Sequence, residues 1–105
     1  MTRLLVAAEA KTDLSDILDY LALNAGSRTA LAYAERFAGA IERIIALPRS
    51  APPRPKLGPD TRVVIVYPYL MIYDFAAAAD TATLLRVLHG KRSITEQMLK
   101  RPSGR

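Results

Sequence analysis

Arginines, tyrosines and a histidine occupy fixed points in two apolar stretches of this chain, and their side chains are capable of chemistry. They are Arg62, Tyr67, Tyr69 and Tyr73 in residues 62–75, and Arg86, His89, Lys91 and Arg92 in residues 84–92. Apolar packing does not require an arginine within Leu84–Leu88, or the only histidine directly after that run. Arginine binds phosphate and carboxylate groups, and histidine or tyrosine can move a proton. The pattern therefore predicts a surface that contacts or acts on an anionic partner.

The same residues also have structural interpretations. Arg86 can pair with Asp74 if the two lie on adjacent strands, and His89 can order the turn at Gly90 through a hydrogen bond. For Tyr67, Tyr69 and Tyr73, packing in the core or at a sheet edge is favoured over stacking on nucleic-acid bases. Residue types and spacing do not choose between these structural interpretations and a role in binding.

Positive charge is concentrated in the C-terminal half of the chain. Residues 1–48 contain five Lys/Arg and six Asp/Glu, whereas residues 49–105 contain ten and four. Clustered positive charge speeds encounter with a polyanion or an acidic protein and favours phosphate contacts. The alternative is a set of solvated side chains that serve solubility.

Bulk composition limits the class of protein. A chain of 105 residues predicts one domain, 1–105, with a single hydrophobic core. The apolar runs are too short to span a bilayer, and the N-terminus lacks the apolar region of a signal peptide. With no cysteine and one histidine, we expect a cytoplasmic protein without disulfides, metal site or cofactor.

Hydrophobic periodicity predicts an α+β fold. The predicted elements are a strand at 3–7, helices at 8–24 and 27–47, strands at 62–67, 69–75 and 83–89, and a short C-terminal helix capped by Ser93. Gly26 should end the first helix and Ser27 should cap the second. The small residues Ala34, Ala38 and Gly39 should let the helices approach closely. The helical hairpin would then cover one face of an antiparallel sheet and leave the other free for a partner.

Two segments lie outside these elements. Residues 48–60 contain five of the seven prolines and predict an extended connecting loop that leaves Arg49, Arg54 and Lys56 exposed. The tail, residues 100–105, is expected to be frayed.

Several motifs along the chain together resemble one family. They are Ala10-x-x-Asp13-Leu14-x-x-Ile17, Leu47-Pro48, Lys56-Leu57-Gly58, Tyr69-Leu-x-Ile-Tyr73 and Arg86-Val-Leu-His-Gly-Lys-Arg92. Their order and spacing are similar to those of the RelE/ParE toxins of bacterial type II toxin–antitoxin pairs, and most closely to the ParE branch. The resemblance covers nearly the whole chain.

Resemblance to ParE implies a protein that inhibits DNA gyrase without breaking a bond itself, so no catalytic residue is expected. It implies a ParD-like antitoxin that wraps the toxin in a hetero-oligomer. The basic C-terminal half further predicts that an acidic antitoxin lays an amphipathic helix or an extended segment on an exposed groove, where it engages apolar residues flanked by the basic ones. Under this interpretation the residues that bind the target are Arg86, His89, Lys91, Arg92, Lys100 and Arg101.

Two other functions stay open. A RelE-type toxin would be a metal-independent endoribonuclease that cleaves mRNA on the ribosome, which needs a base, an acid and cations. The candidates for this chemistry are His89, Tyr73, Arg62, Arg86 and Lys56. Ribonuclease members resemble one another in a basic cluster with His or Tyr near the C-terminal end, and residues 97–105 contain neither. A non-catalytic nucleic-acid-binding module ranks third, because the acidic helical hairpin points to a protein partner.

Overall fold

The computed structural model describes residues 1–101 and contains two helices and four strands. In chain order they are β1 (Arg3–Val6), α1 (Ala8–Ala25), α2 (Ser27–Ala46), β2 (Thr61–Val66), β3 (Tyr69–Ala76) and β4 (Thr81–His89), followed by a 3-10 turn at Glu96–Met98. The predicted α+β fold is confirmed. Of the tail predicted to be frayed, residues 102–105 lie outside the described part. No helix within residues 1–101 is long and apolar enough to cross a membrane.

The four strands form one sheet in the order β1-β4-β3-β2. The β2–β3 and β3–β4 pairs are antiparallel, as predicted, whereas β1 runs parallel to β4. The sheet is therefore mixed. Alternation in the sequence predicts a strand but not its direction, and here the helical hairpin returns the chain across one face before β2 begins.

The helical hairpin turns at Gly26, whose φ of 95° is the positive backbone angle that glycine tolerates. The predicted helix end is confirmed. Ser27 does not cap α2, because it is the first helical residue and the helix has no side-chain cap. Ala38 and Gly39 are exposed and do not form the helix–helix contact expected of them.

The main core lies between the hairpin and the sheet. Alternation along β3 turns Tyr69, Met71, Tyr73 and Phe75 toward the helices, as predicted, where they meet Phe37, Ala40 and Ile44 of α2. In β4 the register shifts: Ile72 pairs with Arg86, but Tyr73 pairs with Leu84. The extra residue is a β-bulge beside Arg86.

A second apolar cluster covers the other face of the sheet. It contains the buried residues Leu57, Val63, Ile72, Leu85, Leu88 and Leu99, with Leu70, Ile94 and Met98 packed against them. The prediction that this face is free was wrong, because the proline-rich loop and residues 94–99 fold over it. The predicted C-terminal helix is a single 3-10 turn. A helix this short gains too few hydrogen bonds to be stable by itself, and the burial of Leu99 determines the path of the chain instead.

Candidate functional site

Arg86 is held by α1, 73 positions away in sequence. Its Nε donates to Asp13 Oδ2 at 2.6 Å and its Nη2 donates to Asp13 Oδ1 at 3.0 Å. Both side chains are mostly buried, with 19% and 14% exposed, and the hydrogen bonds to Asp13 raise the pKa of Arg86 despite desolvation. The expected pairing of Arg86 with Asp74 was wrong, because α1 packs on β4 and brings Asp13 to it.

Asp13 also completes the edge of β4. β1 pairs with β4 only as far as Leu84, so the next outward-facing N–H, that of Val87, lacks a strand partner. Asp13 Oδ2 accepts this N–H at 2.9 Å. Arg86 Nη1 in addition donates to the carbonyl of Met98 at 3.3 Å. Arg86 therefore joins α1, β4 and the C-terminal segment.

Asp74 pairs instead with Arg101, at 2.7 Å between Nε and Oδ2. Arg101 Nη2 also donates to the carbonyl of Leu57 and to Thr61 Oγ1, and the Thr61 hydroxyl donates to Asp74 Oδ1 at 2.6 Å. These contacts fasten the C-terminal segment to the loop and to β2. Arg86 and Arg101, two of the predicted target contacts, thus use most of their donors within the chain.

Arg62 and Tyr73, candidates for ribonuclease chemistry, anchor the proline-rich loop on the helix-facing side. Arg62 Nη1 donates to the carbonyls of Arg49 and Ala51, at 2.9 and 2.7 Å. The fully buried Tyr73 donates its hydroxyl to the carbonyl of Pro48 at 2.6 Å, and burial raises its pKa, partly offset by Arg62. Both side chains therefore hold the loop in place, and Tyr73 is closed off from solvent.

His89 orders the turn that follows β4. Its Nδ1 accepts the backbone N–H of Lys91 at 3.0 Å, and its carbonyl accepts the N–H of Arg92. The ring packs edge-on against Tyr69, with centroids 5.6 Å apart, which places it on the helix-facing side of the sheet. The hydrogen bond by which His89 was expected to order the turn at Gly90 is therefore present.

A cationic cleft of about 680 Å³ lies on the opposite side of the sheet. Its cations are Arg54 and Lys56 from the proline-rich loop and Arg92 from beyond β4, around the apolar side chains of Pro55, Leu57, Leu70 and Ile94. Each of the three cations is noted in the sequence, but nothing in the sequence around them indicates that Arg54 and Arg92 lie close together. Only the fold of the loop over the sheet brings them together.

The cleft can bind an anion, and its described lining lacks the histidine, tyrosine or carboxylate that would most often move a proton there. No carboxylate, histidine or tyrosine is among its described lining residues. Lys91 is exposed on the adjacent turn, while Lys100 lines a separate hollow with Glu9, Asp13 and Arg86. Within residues 1–101, no group of three His, Cys, Asp or Glu side chains is placed to hold a metal ion.

Comparison with known proteins agrees with this architecture. A family model described as the ParE toxin of the type II toxin–antitoxin system parDE matches residues 4–94. No curated protein sequence matches the chain.

Three solved structures show a similar fold. A chain of the chromosomal ParDE system of Pseudomonas aeruginosa has a TM-score of 0.69 at 19% identity and covers 85% of this chain and 96% of that one. The isolated Escherichia coli RelE toxin has a TM-score of 0.62 at 15% identity and covers 89% of this chain and 88% of that one. A chain of the RelBE2 toxin–antitoxin complex of Mycobacterium tuberculosis has a TM-score of 0.54 at 23% identity and covers 84% of this chain and 96% of that one.

Proposed function

Because the chain belongs to the ParE toxin family of type II toxin–antitoxin systems, we propose that it arrests growth by binding DNA gyrase in the cytoplasm. A cognate ParD-like antitoxin neutralises it in a hetero-oligomer. The toxin acts as a contact surface, and no residue serves as acid or base.

The separation of the cations of the cleft from His89 and Tyr73, the histidine and tyrosine candidates for proton transfer, carries this proposal. Arg54, Lys56 and Arg92 line the cleft on one side of the sheet. His89 and Tyr73 lie on the other, and the Tyr73 hydroxyl is already donated to a carbonyl. Ribonuclease chemistry requires a base and an acid within hydrogen-bond reach of the substrate that the cations bind. This arrangement instead supports binding by positive charge.

The exposed cations Lys91 and Arg92 are the preferred target contacts. Both follow the ordered turn at His89, so their backbone positions are fixed while their side chains stay exposed. Charge on such a surface speeds association with an acidic partner and makes affinity depend on salt. Arg86 and Arg101 then contribute by holding the surrounding segments in place.

The test is a double charge reversal, Lys91→Glu with Arg92→Glu. We expect it to weaken inhibition of gyrase-catalysed supercoiling by about tenfold or more, with a smaller effect at high salt. Lys11→Glu with Arg28→Glu makes the same charge change on exposed positions of the hairpin and should leave inhibition intact. His89→Gln, whose side-chain oxygen can still accept the Lys91 N–H, should leave most of the inhibition intact provided that the fold survives, whereas loss of a general base costs roughly 10²–10⁴ in rate.

The alternatives give different results in the same set of variants. Ribosome-dependent mRNA cleavage by the purified chain, abolished by His89→Gln with the fold unchanged, would overturn the proposal in favour of a RelE-type endoribonuclease. Binding to single-stranded nucleic acid with no effect on gyrase, lost in the double reversal, would favour the nucleic-acid-binding module.

A further inference from the structure

The cations of the cationic cleft differ from the other basic residues of the site in having no partner within the described chain. Arg86 and Arg101 are each paired with a carboxylate. Within residues 1–101, by contrast, no ion pair or side-chain hydrogen bond engages Arg54, Lys56 or Arg92, and all three are exposed. Unpaired charge of one sign in a cleft attracts anionic groups from outside. These three cations are therefore available to a ligand.

Backbone hydrogen bonds hold both walls of the cationic cleft in place. On the loop side, Arg54 N–H donates to the carbonyl of Thr61 at 2.8 Å, and Leu57 N–H donates to that of Arg54 at 2.9 Å. On the other side, Gly90 N–H donates to the carbonyl of Pro68 at 2.7 Å, so the turn after β4 lies against the turn between β2 and β3. Because both walls are already ordered, a ligand would immobilise side chains but would not have to order the loop.

The floor of the cationic cleft is apolar and partly open. Leu57 is buried, whereas Leu70 and Ile94 are half-buried and Pro55 is exposed. A ligand seated here would extend the second apolar cluster, to which the leucines and the isoleucine belong. An apolar centre surrounded by charged groups is the usual anatomy of a protein–protein interface.

This lining favours an acidic protein segment over nucleic acid. Phosphate groups bind cations but gain nothing from an apolar floor. Proteins that bind unpaired bases stack them on aromatic side chains, and no aromatic residue is among the described lining residues of the cleft. An apolar side chain flanked by carboxylates would satisfy the floor and the cations together. Charge complementarity therefore indicates a segment of this chemistry.

We propose that the cationic cleft receives an acidic segment of the target protein, with an apolar side chain on the floor and carboxylates paired with Arg54, Lys56 and Arg92. The identity of the target as gyrase rests on the proposed function. Lys91, exposed on the adjacent turn, would lie beside this segment. The proline-rich loop then forms half of the target-binding surface, and the turn after β4 forms the other half.

The experiment measures the affinity of the full chain for purified gyrase in the absence of DNA. Arg54→Glu with Lys56→Glu should weaken binding by about tenfold or more, and by less at high salt. Ile94→Thr removes apolar surface from the floor without changing the charge. It should weaken binding by about threefold or more at low and high salt alike. If Ile94→Thr lowers the thermal midpoint, Pro55→Ser gives the same test at an exposed position.

Matched controls lie on the helical hairpin. Lys11→Glu with Arg28→Glu makes the same charge change at exposed positions and should alter affinity by less than about twofold. Leu23→Thr truncates an apolar side chain that is 86% exposed, and it should have no effect. These variants separate the cleft from general effects of net charge and hydrophobicity.

The possible failures give different results. If the wild-type chain neither binds nor inhibits gyrase, the target assignment and this proposal are both wrong. If Lys91→Glu with Arg92→Glu weakens binding while the loop and floor variants behave like their controls, the proposed function stands and the cleft assignment alone is wrong. If the loop variant loses affinity for free duplex DNA but keeps its affinity for DNA-free gyrase, the occupant is a phosphate backbone and the proposal is also wrong.

Discussion

Removal of the Asp13 carboxylate should destabilise the chain more than any exposed substitution on α1. Asp13→Ala leaves the Arg86 guanidinium with its carbonyl contact to Met98 and leaves the Val87 N–H without its acceptor. Breaking one side of a buried ion pair costs about 3–5 kcal/mol. Since the two side chains retain 14% and 19% exposure, water can reach the remaining charge and we expect the lower end, about 3 kcal/mol.

A loss of this size is large for a small domain, whose total stability is about 5–15 kcal/mol. At about 4–8 °C per kcal/mol, the thermal midpoint should fall by roughly 12–24 °C. Thermal unfolding followed by circular dichroism and urea unfolding at 25 °C would measure it. Asp16→Ala, at an exposed position one turn along α1, is the control and should change stability by less than about 0.5 kcal/mol.

A double-mutant cycle tests whether the pair itself is responsible. Arg86→Met and Asp13→Leu should each destabilise the chain alone. The variant that carries both should be less destabilised than the sum of these two single changes, because no unpaired charge remains. The reasoning would be refuted if Asp13→Ala lowered the midpoint no more than Asp16→Ala, or if the coupling energy were near zero.

Two further predictions concern the loop and the C-terminal segment. Tyr73→Phe should cost about 1 kcal/mol at neutral pH by removing the hydrogen bond to Pro48. Burial raises the pKa of Tyr73 above 10.0. The stability that the buried neutral phenol provides should therefore be present below about pH 10 and lost as the pH rises through the raised pKa. Urea unfolding at several alkaline pH values should show that the Phe variant loses less stability than the wild type. Gly58→Ala would place a methyl group against the guanidinium of Arg101 and Thr61 Oγ1, so we expect about 1–3 kcal/mol of destabilisation and faster hydrogen exchange in residues 94–99. Unchanged exchange there would show that Arg101 does not hold the segment down.

The sequence by itself determined the two helices, the four strands and their apolar faces. Side-chain alternation along β3 placed Tyr69, Met71, Tyr73 and Phe75 on one side because successive residues of a strand point to opposite faces. Gly26 indicated the end of α1 for a similarly local reason. The residue after the helix has a positive φ, which glycine tolerates best. The combined motifs also identified the family without knowledge of the structure.

Tertiary structure decided the partners of these side chains. The sequence marked Arg86 as unusual but paired it with Asp74, the acid expected on a neighbouring strand, whereas packing of α1 on β4 supplied Asp13 from far along the chain. Likewise, Arg54 and Arg92 share a cleft only because the proline-rich loop and residues 94–99 fold over the second face. Gly39, which the sequence assigned to a helix contact, instead faces open space.

The difference follows from the range of the physics involved. Periodicity, capping and turn preferences depend on a few neighbouring residues, so a single sequence records them. Other features depend on contacts between distant segments, whose geometry is set when the core packs. They are the direction of β1, the bulge beside Arg86 and the covering of the second face of the sheet. The residue types available for a site were therefore determined by the sequence, and their division between internal anchors and exposed contacts was determined by the fold.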